Sequence, residues 1–221
     1  MSRRILSLIV AVALVAFGAS FAVGAVVFDG GGPDGVNGFN ITQGYWISAD
    51  DFILSQPTTI TDVHFWVLGY PTPPSGGFSW SVYADSYDAN KVMYKPGALV
   101  GSGSALNIVA TPTGNYPIGM TEYMISFDLN NPLALNASWY WLALQSSSPL
   151  FWETTGAGTG QDAVQSIQTS PYDWNKISNV DEDNHNLAFQ LTSTPVPIPG
   201  AVWLLGSGIV GLIGLKRRMR K

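Results

Sequence analysis

The sequence predicts an all-β fold, an antiparallel β-sandwich of the jelly-roll kind. Short segments rich in β-branched and aromatic residues recur about every 10–20 residues, as expected for the strands of such a fold. Several of these segments alternate apolar and polar residues, which is the period of a strand with one buried face. Turns rich in Gly, Pro and Asn separate them, and no convincing amphipathic helix lies between them.

The clearest predicted strand is residues 58–68, where β-branched and aromatic residues dominate. Its alternation predicts one face formed by the even-numbered residues and another formed by the odd-numbered ones. Lys95-Pro96-Gly97 predicts a turn, Asn130-Asn131-Pro132 predicts the end of a strand, and residues 163–168 suggest a single helical turn. The other predicted strands are residues 26–28, 45–48, 51–54, 78–84, 98–101, 123–129, 138–145, 150–154 and 187–192.

The tryptophans divide into two groups by position. Those on predicted strands are expected in the core, because one face of each strand must be buried; they are Trp66, Trp80, Trp139 and Trp141. Trp46, Trp152 and Trp174 lie nearer to predicted loops. Exposed indole rings stack on sugar faces, so these three are the candidates for binding a carbohydrate.

The chain has only two histidines to serve as a catalytic base. His64 lies in the middle of a predicted strand and is expected to have a hydrogen-bond partner on the sheet. His185 follows an acidic segment and is expected to be a solvated loop residue. Glu153 would be the first choice for a glycosidase carboxylate. No motif of a serine hydrolase, zinc protease or P-loop occurs, and no catalytic residue is predicted.

Composition excludes several classes of function. The absence of cysteine excludes disulfides, thiol catalysis and thiolate metal sites. Seven of the ten Lys and Arg residues lie near the two ends of the chain. Between residues 26 and 194, three lysines stand against fifteen acidic residues, a net charge of −12. A surface this acidic repels nucleic acid and attracts divalent cations.

Calcium is the one metal candidate, since it binds carboxylates and backbone carbonyls. Asp29 and Asp34 flank a glycine-rich segment, and Asp51 follows a predicted strand that could lie beside it. The three carboxylates are therefore the predicted calcium ligands. The alternative is that Gly and Asp only form turns here, and the residues do not decide between the two.

The N-terminal residues 1–25 have the pattern of a signal peptide. Arg3 and Arg4 precede an apolar segment, residues 5–17, and small residues follow. Cleavage after Ala22 and cleavage after Ala25 both fit this pattern. Residues 26–194 then form the predicted β-sandwich domain, which is long enough for a single core.

The C-terminal residues 195–221 contain three parts in a fixed order. A proline-spaced segment precedes an uncharged apolar run, residues 201–215, and a basic cluster at residues 216–221 follows. As a helix the apolar run would cover about 22 Å of a hydrocarbon core about 30 Å thick. The basic residues favour a short transmembrane helix with its C-terminal end in the cytoplasm.

This tail resembles the PEP-CTERM sorting signal of Gram-negative bacteria, with Ile198 where that family usually has Glu. The resemblance implies that an exosortase at the inner membrane recognises and processes the protein, which is then found at the cell surface or outside the cell. An ordinary single-span anchor is the alternative. The residues that match are Pro197, Pro199, Gly200, Trp203, Gly206, Gly208, Lys216, Arg217 and Arg218.

Residues 26–194 also resemble the β-sandwich ectodomains of PEP-CTERM proteins, in segments such as 29–34, 60–66, 139–142 and 187–191. The resemblance implies a non-catalytic protein of the cell surface or matrix, with a role in adhesion, extracellular polymer or biofilm and with exopolysaccharide as a partner. The other hypothesis is a carbohydrate-binding module, or a glycan-active enzyme, that uses the loop tryptophans and calcium. The sequence predicts no oligomeric state.

Overall fold

The computed structural model describes residues 24–70, 74, 76–157, 160–167, 172–177 and 185–193. Within these ranges the chain forms a compact all-β unit, Ala25–Ser193, and the predicted all-β class is confirmed. The strands are β1 (Ala25–Asp29), β2 (Gly38–Asn40), β3 (Trp46–Ile53), β4 (Thr58–Gly69), β5 (Phe78–Asp88), β6 (Met93–Pro112), β7 (Thr121–Leu135), β8 (Trp139–Ser146), β9 (Phe151–Thr155), β10 (Val164–Ile167), β11 (Asn175–Lys176), β12 (Asn186–Leu187) and β13 (Phe189–Ser193). A 3-10 turn, Pro117–Gly119, precedes β7.

The strands form two antiparallel sheets that share β6. Sheet A has the order β1-β13-β4-β7-β6, and β9 pairs with the last residues of β4 beyond β13. Sheet B has the order β6-β5-β8-β3-β10-β11. The first part of β6, residues 93–104, pairs with β5, and the second part, residues 105–112, pairs with β7. This strand therefore passes from one sheet to the other, which gives a sandwich-like arrangement.

Strand β4 shows how the sequence pattern builds sheet A. Val63, Phe65 and Val67 are buried in the main core, because every second residue of a strand points to the same face. The pairing with β7 shifts register between Ile60 and Asp62, because residues 129–132 of β7 bulge there, and Ile60 is buried while Asp62 is half-buried. The prediction that the even-numbered residues share one face is therefore wrong at Ile60, where the bulge intervenes.

Two apolar clusters stabilise the unit. The main core lies against the inner faces of both sheets, where Phe65 packs on Phe78, Phe127 and Trp152 with ring centroids 5.4 to 6.1 Å apart. A second cluster covers the opposite face of sheet B and includes Trp141. Sheet B is therefore buried on both faces over part of its area, and sheet A on one.

Four local predictions are corrected by the strand pairing. Residues 45–48 and 51–54 belong to the single strand β3, and residues 163–168 contribute β10, which pairs with β3 instead of forming a helical turn. Lys95-Pro96-Gly97 lies inside β6, because proline is tolerated where a strand pairs on one side only. Asn130-Asn131-Pro132 falls within a register shift, so β7 continues through it to Leu135.

The predicted signal peptide and the predicted transmembrane helix at residues 201–215 lie outside the described residues. In the part of the chain that the structure describes, no helix has the length and apolar character needed to cross a membrane.

Candidate functional site

The predicted sorting signal also lies outside the described residues. This applies to Pro197, Pro199, Gly200, Trp203, Gly206, Gly208, Lys216, Arg217 and Arg218.

The three tryptophans predicted to bind sugar do not form an exposed surface. Trp152 is fully buried in the main core, where its Nε1 donates a hydrogen bond to the Ala188 carbonyl at 3.0 Å. Trp174 is 4% exposed, and Trp46 is half-buried at the start of β3. The expectation that all three are available to a ligand is therefore wrong for Trp152 and Trp174.

Trp174 is buried because its segment covers the outer face of sheet B. Its ring packs against Tyr83 of β5 at 6.1 Å and against Tyr172 at 5.3 Å, measured between ring centroids. The Lys91 ammonium group holds the segment in place by donating to the Trp174 carbonyl at 2.8 Å and by pairing with Asp173. Nothing in the local sequence indicates this long-range packing, so Trp174 looked like a loop residue.

The predicted calcium ligands do not converge either. Asp29 accepts a hydrogen bond from the Gly31 N–H at 3.0 Å, and Asp34 accepts one from the Val36 N–H at 2.9 Å, so both stabilise turns of their own loop. Asp51 lies in β3 on sheet B. Among the described residues, no group of three His, Asp or Glu side chains is arranged to hold a metal ion.

Asp50 and Asp51 are instead buried carboxyl groups of sheet B. Asp50 accepts hydrogen bonds from the N–H groups of Leu187 (2.6 Å) and Asp51 (2.9 Å), and burial raises its pKa well above the usual range. Burial likewise raises the pKa of Asp51 to about 7, and one of its oxygens accepts a hydrogen bond from the Gln161 N–H at 3.0 Å. These groups tie β3 to the segments around residues 161 and 187, which is a structural role.

Glu153, the residue that a glycosidase would need, is also buried. It lies on β9 and accepts a hydrogen bond from the Gly35 N–H at 3.1 Å. Burial raises its pKa to about 8, and the nearby carboxyl groups of Glu122 and Asp34 add to this rise. Glu122, itself buried, accepts a hydrogen bond from the Asn115 side chain at 3.0 Å.

A buried acid with a raised pKa beside a second buried acid is the kind of arrangement that enzymes use for acid–base chemistry. In this protein, however, Glu153 is 0% exposed and Glu122 is 3% exposed. A substrate could reach them only after the loops that contain Gly35 and Asn115 had moved. The pair therefore fastens these two loops to the end of β4, where Leu68 pairs with Glu122 on one side and with Phe151 on the other.

The outer face of sheet A is the candidate functional site. Between Asp62 and Trp66 of β4, the side chains that point away from the main core are half-buried, as are their partners on β7 and Gln190 of β13, whereas Thr192 is buried; strand pairing arranges them in rows. Gln190, His64 and Ser126 lie directly opposite one another on β13, β4 and β7, and Trp66 lies opposite Met124 of β7. We call this surface the polar face, formed by Asp62, His64, Trp66, Met124, Ser126 and Gln190.

A chain of hydrogen bonds organises the polar face. His64 Nδ1 lies 3.0 Å from Ser126 Oγ, and His64 Nε2 lies 3.4 Å from Thr192 Oγ1. The Thr192 hydroxyl donates to the Asp62 carboxylate at 3.1 Å. Because that hydroxyl uses its proton on Asp62, it accepts from His64 Nε2–H, which leaves Nδ1 to accept from Ser126. Asp62 also accepts from the Thr61 hydroxyl.

This network contains Ser, His and Asp but does not have the order of a catalytic triad. In a triad the carboxylate contacts the imidazole directly and orients it. Here the Thr192 hydroxyl lies between His64 and Asp62. The arrangement fixes the orientation of donors and acceptors on an accessible sheet, which suits binding better than nucleophilic attack. His64 has the sheet partner that the sequence predicts.

His185 differs from its prediction. It is 8% exposed and its ring lies 5.5 Å from the ring of Phe39, so it is a packed residue and not a solvated one. Its carbonyl accepts a hydrogen bond from the Ala163 N–H at 2.8 Å, which fixes the backbone at this point.

Trp66 is the residue of the polar face that sequence reasoning missed. It was expected in the core with Trp80 and Trp141, which are indeed buried. Trp66 is half-buried instead, because it shares the outer face with His64. Trp139, also expected in the core, is 37% exposed on sheet B. The polar character of Asp62 and His64 on the same face as Trp66 is the one local signal for an outward position, and it is offset by the apolar Ile60 and Leu68 of the same predicted face.

Comparison with known proteins adds no family to this description. No family model matches the chain, and no curated protein matches it.

Proposed function

We propose that this chain is an exported, non-catalytic protein of a Gram-negative bacterium, anchored at the surface or associated with the matrix. The resemblance of residues 195–221 to a PEP-CTERM signal supports sorting by an exosortase at the inner membrane. The N-terminal pattern of residues 1–25 supports export. Its role is adhesion or the organisation of extracellular polymer, and the polar face of sheet A is the contact surface.

The polar face is the observation that carries this proposal. It combines hydroxyl, imidazole, carboxylate and amide groups with the indole of Trp66 on one antiparallel sheet. A sheet surface of this composition suits a polar polymer, because hydrogen bonds and one stacking ring can be spread over several repeating units. The buried acids Glu122 and Glu153 offer no comparable accessible surface.

The pairing of β1 with β13 supports attachment of the β unit to the membrane at one end of the sheet. Ala25 lies opposite Ser193, so the two ends of the β unit are neighbours at the edge of sheet A. Ser193 is close in sequence to the proline segment that begins at Pro195. Asp62 pairs with Thr192 and so lies near these two ends. Glu122 lies opposite a residue of β4 about 20 Å further along that strand, by the rise per residue, so the buried acids are at the far end of the sheet.

Export can be tested with a single cysteine, because the chain has none. Val36 is 66% exposed, so the Val36→Cys variant presents one accessible thiol. In intact cells a maleimide that does not cross the inner membrane should label it fully. Labelling that requires cell lysis would contradict export.

The predicted sorting signal can be tested in the same cells that express the Val36→Cys variant. Neutral replacements of Lys216, Arg217, Arg218, Arg220 and Lys221 remove the charges that hold a short span at the cytoplasmic face. We expect altered sorting and processing of this variant. Processing identical to that of the parent would show that the tail is not the signal.

Carbohydrate binding is the second candidate function, and the position of Trp66 is the observation that favours it. The ligand surface would be the polar face and not the predicted loop tryptophans. A glycan array probed with the full chain should then show binding that Trp66→Ala abolishes and Trp139→Ala preserves. Binding lost equally in both variants would count against this surface, and addition of chelator would show whether calcium contributes.

A further inference from the structure

Strand β6 has an unpaired edge along its second half. Residues 105–112 pair with β7 on one side, and no other strand within the described ranges pairs with their opposite side. Their backbone N–H and C=O groups on that side have no strand partner. Such an edge is a template for another strand unless charge, proline, a bulge or a covering segment blocks it.

Most of these protective features are missing from this edge. Residues 97–111 contain no charged residue and no proline, and Pro112, which has no N–H to donate, ends the edge. The one irregularity is a bulge at Asn107, whose φ is 50°. Beyond this bulge, residues 108–112 remain as a regular segment, and Val109 on its outer face is 55% exposed.

The main core is also incompletely covered along this edge. Ile108 and Ala110 pack against the core, yet both are only half-buried. Both lie at the edge of the sheet, and none of the strands that the structure describes covers them. A strand added beside β6 would remove this apolar surface from water, which favours association.

Charge indicates which partner fits. Residues 26–194 carry a net charge of −12, so two copies of this chain repel each other over most of their surfaces. The 26 residues 96–121 contain no Asp, Glu, Lys, Arg or His. Two copies that met along β6 would therefore bring no like charges directly opposite each other.

We propose that residues 108–112 of β6 pair antiparallel with the same residues of a second copy, around a twofold axis beside Ala110. Val109 of one copy then lies opposite Thr111 of the other, and Ala110 lies opposite Ala110. An isologous contact of this kind closes as a dimer and continues sheet A across both copies. The proposal does not depend on the export or the contact role proposed above.

The half-buried carboxylate of Asp128, near this edge, does not oppose the pairing. Asp128 lies on β7 and accepts a hydrogen bond from the Asn107 side chain at 2.6 Å. In the dimer the two Asp128 residues would be separated by three strand spacings across the sheet, about 14 Å, and further by their opposite offsets along the strands. This exceeds the Debye length of about 8 Å at physiological ionic strength, so their repulsion is largely screened.

The absence of cysteine allows a direct test on the full chain in detergent. In the proposed register, Ala110→Cys places its thiol opposite its own copy, at a separation that a disulfide can bridge. Val109→Cys is displaced by two residues from its own copy and should not cross-link. Ala98→Cys, an exposed position on the first half of β6, is the matched control.

Under mild oxidation we expect at least a fivefold higher dimer fraction for Ala110→Cys than for Ala98→Cys. Adding Val109→Lys to the Ala110→Cys variant should reduce the dimer fraction to the control level, because it puts a charge into the contact. Adding Val36→Lys, the same change at an exposed site away from β6, should leave it unaltered. Circular dichroism checks that both lysine variants are folded.

Dimer fractions at Ala110 that do not exceed those at Ala98 would overturn the proposal. Equal cross-linking at Ala110, Val109 and Ala98 would indicate random collision or association through another part of the chain, and would overturn it too. A dimer fraction that Val36→Lys lowers as strongly as Val109→Lys would have the same consequence.

Discussion

Replacing Trp152 tests whether this residue is a core side chain or a ligand-binding one. Its ring is fully buried, 5.9 Å from the ring of Phe65 and 5.6 Å from that of Phe189, measured between centroids. Its Nε1 donates to the Ala188 carbonyl at 3.0 Å. Trp152→Ala therefore removes a large apolar group and leaves a buried carbonyl without its donor.

The expected loss in the free energy of unfolding is about 3–5 kcal/mol for the cavity. The unpaired carbonyl adds up to about 1–3 kcal/mol where relaxation does not restore a partner. Trp152→Phe retains most of the apolar volume, so its loss should be smaller, about 1–3 kcal/mol, and should come mainly from the missing hydrogen bond. A stability of 5–15 kcal/mol is typical of a domain, so Trp152→Ala would leave little margin.

Equilibrium unfolding of residues 26–194 in urea, followed by circular dichroism, measures these differences. Trp139→Ala is the control, because Trp139 is 37% exposed and its replacement should cost less than about 1 kcal/mol. A loss below about 1 kcal/mol for Trp152→Ala would refute the placement of Trp152 in the core. Equal losses for the Phe and Ala variants would refute the role assigned to its ring volume.

Three further predictions concern the polar groups of the same unit. The folded state keeps the Glu153 proton up to about pH 8, whereas the reference pKa is 4.5, so the contribution of Glu153 to stability falls as pH rises from 4.5 to 8. Glu153→Gln cannot ionise, so its melting temperature should change less than that of the parent between pH 5 and pH 8.5; an unchanged slope would contradict the raised pKa. Trp141→Ala should cost about 3–5 kcal/mol by urea unfolding, because Trp141 is buried and donates to Asp85 at 2.8 Å; a loss below about 1 kcal/mol would place it on the surface. Millimolar calcium should leave the melting temperature at its value in chelator, because Asp34 and Asp51 do not converge; a rise that Asp34→Asn abolishes would restore the calcium site.

The sequence predicts the strands of this fold better than it predicts their faces. Residues 58–68 form β4 as expected, because β-branched and aromatic residues with period 2 suit a half-buried strand. The register shift after Ile60 is decided by pairing with β7, which is remote in sequence, so the outward position of Trp66 could not be derived from β4 alone. The same limit explains why β7 continues through Pro132.

The candidate functional site could likewise be predicted only in part from the sequence. His64 was expected to have a partner on the sheet, and the local alternation was enough to say so. Ser126 and Thr192 as its partners depend on which strands flank β4, and these are 62 and 128 residues away in sequence. The burial of Trp174 likewise depends on Lys91 and Tyr83, which no local pattern connects to it.

The central claim is that the polar face is the contact surface of an exported protein. The most direct measurement is the fraction of purified residues 26–194, which lack the predicted tail, that stays bound to washed cells and their extracellular polymer. With Trp66→Ala this fraction should fall at least tenfold, and with Trp139→Ala, the same change on sheet B, it should stay at the parental level. Retention unchanged by Trp66→Ala, or lost only with Trp139→Ala, would contradict the account.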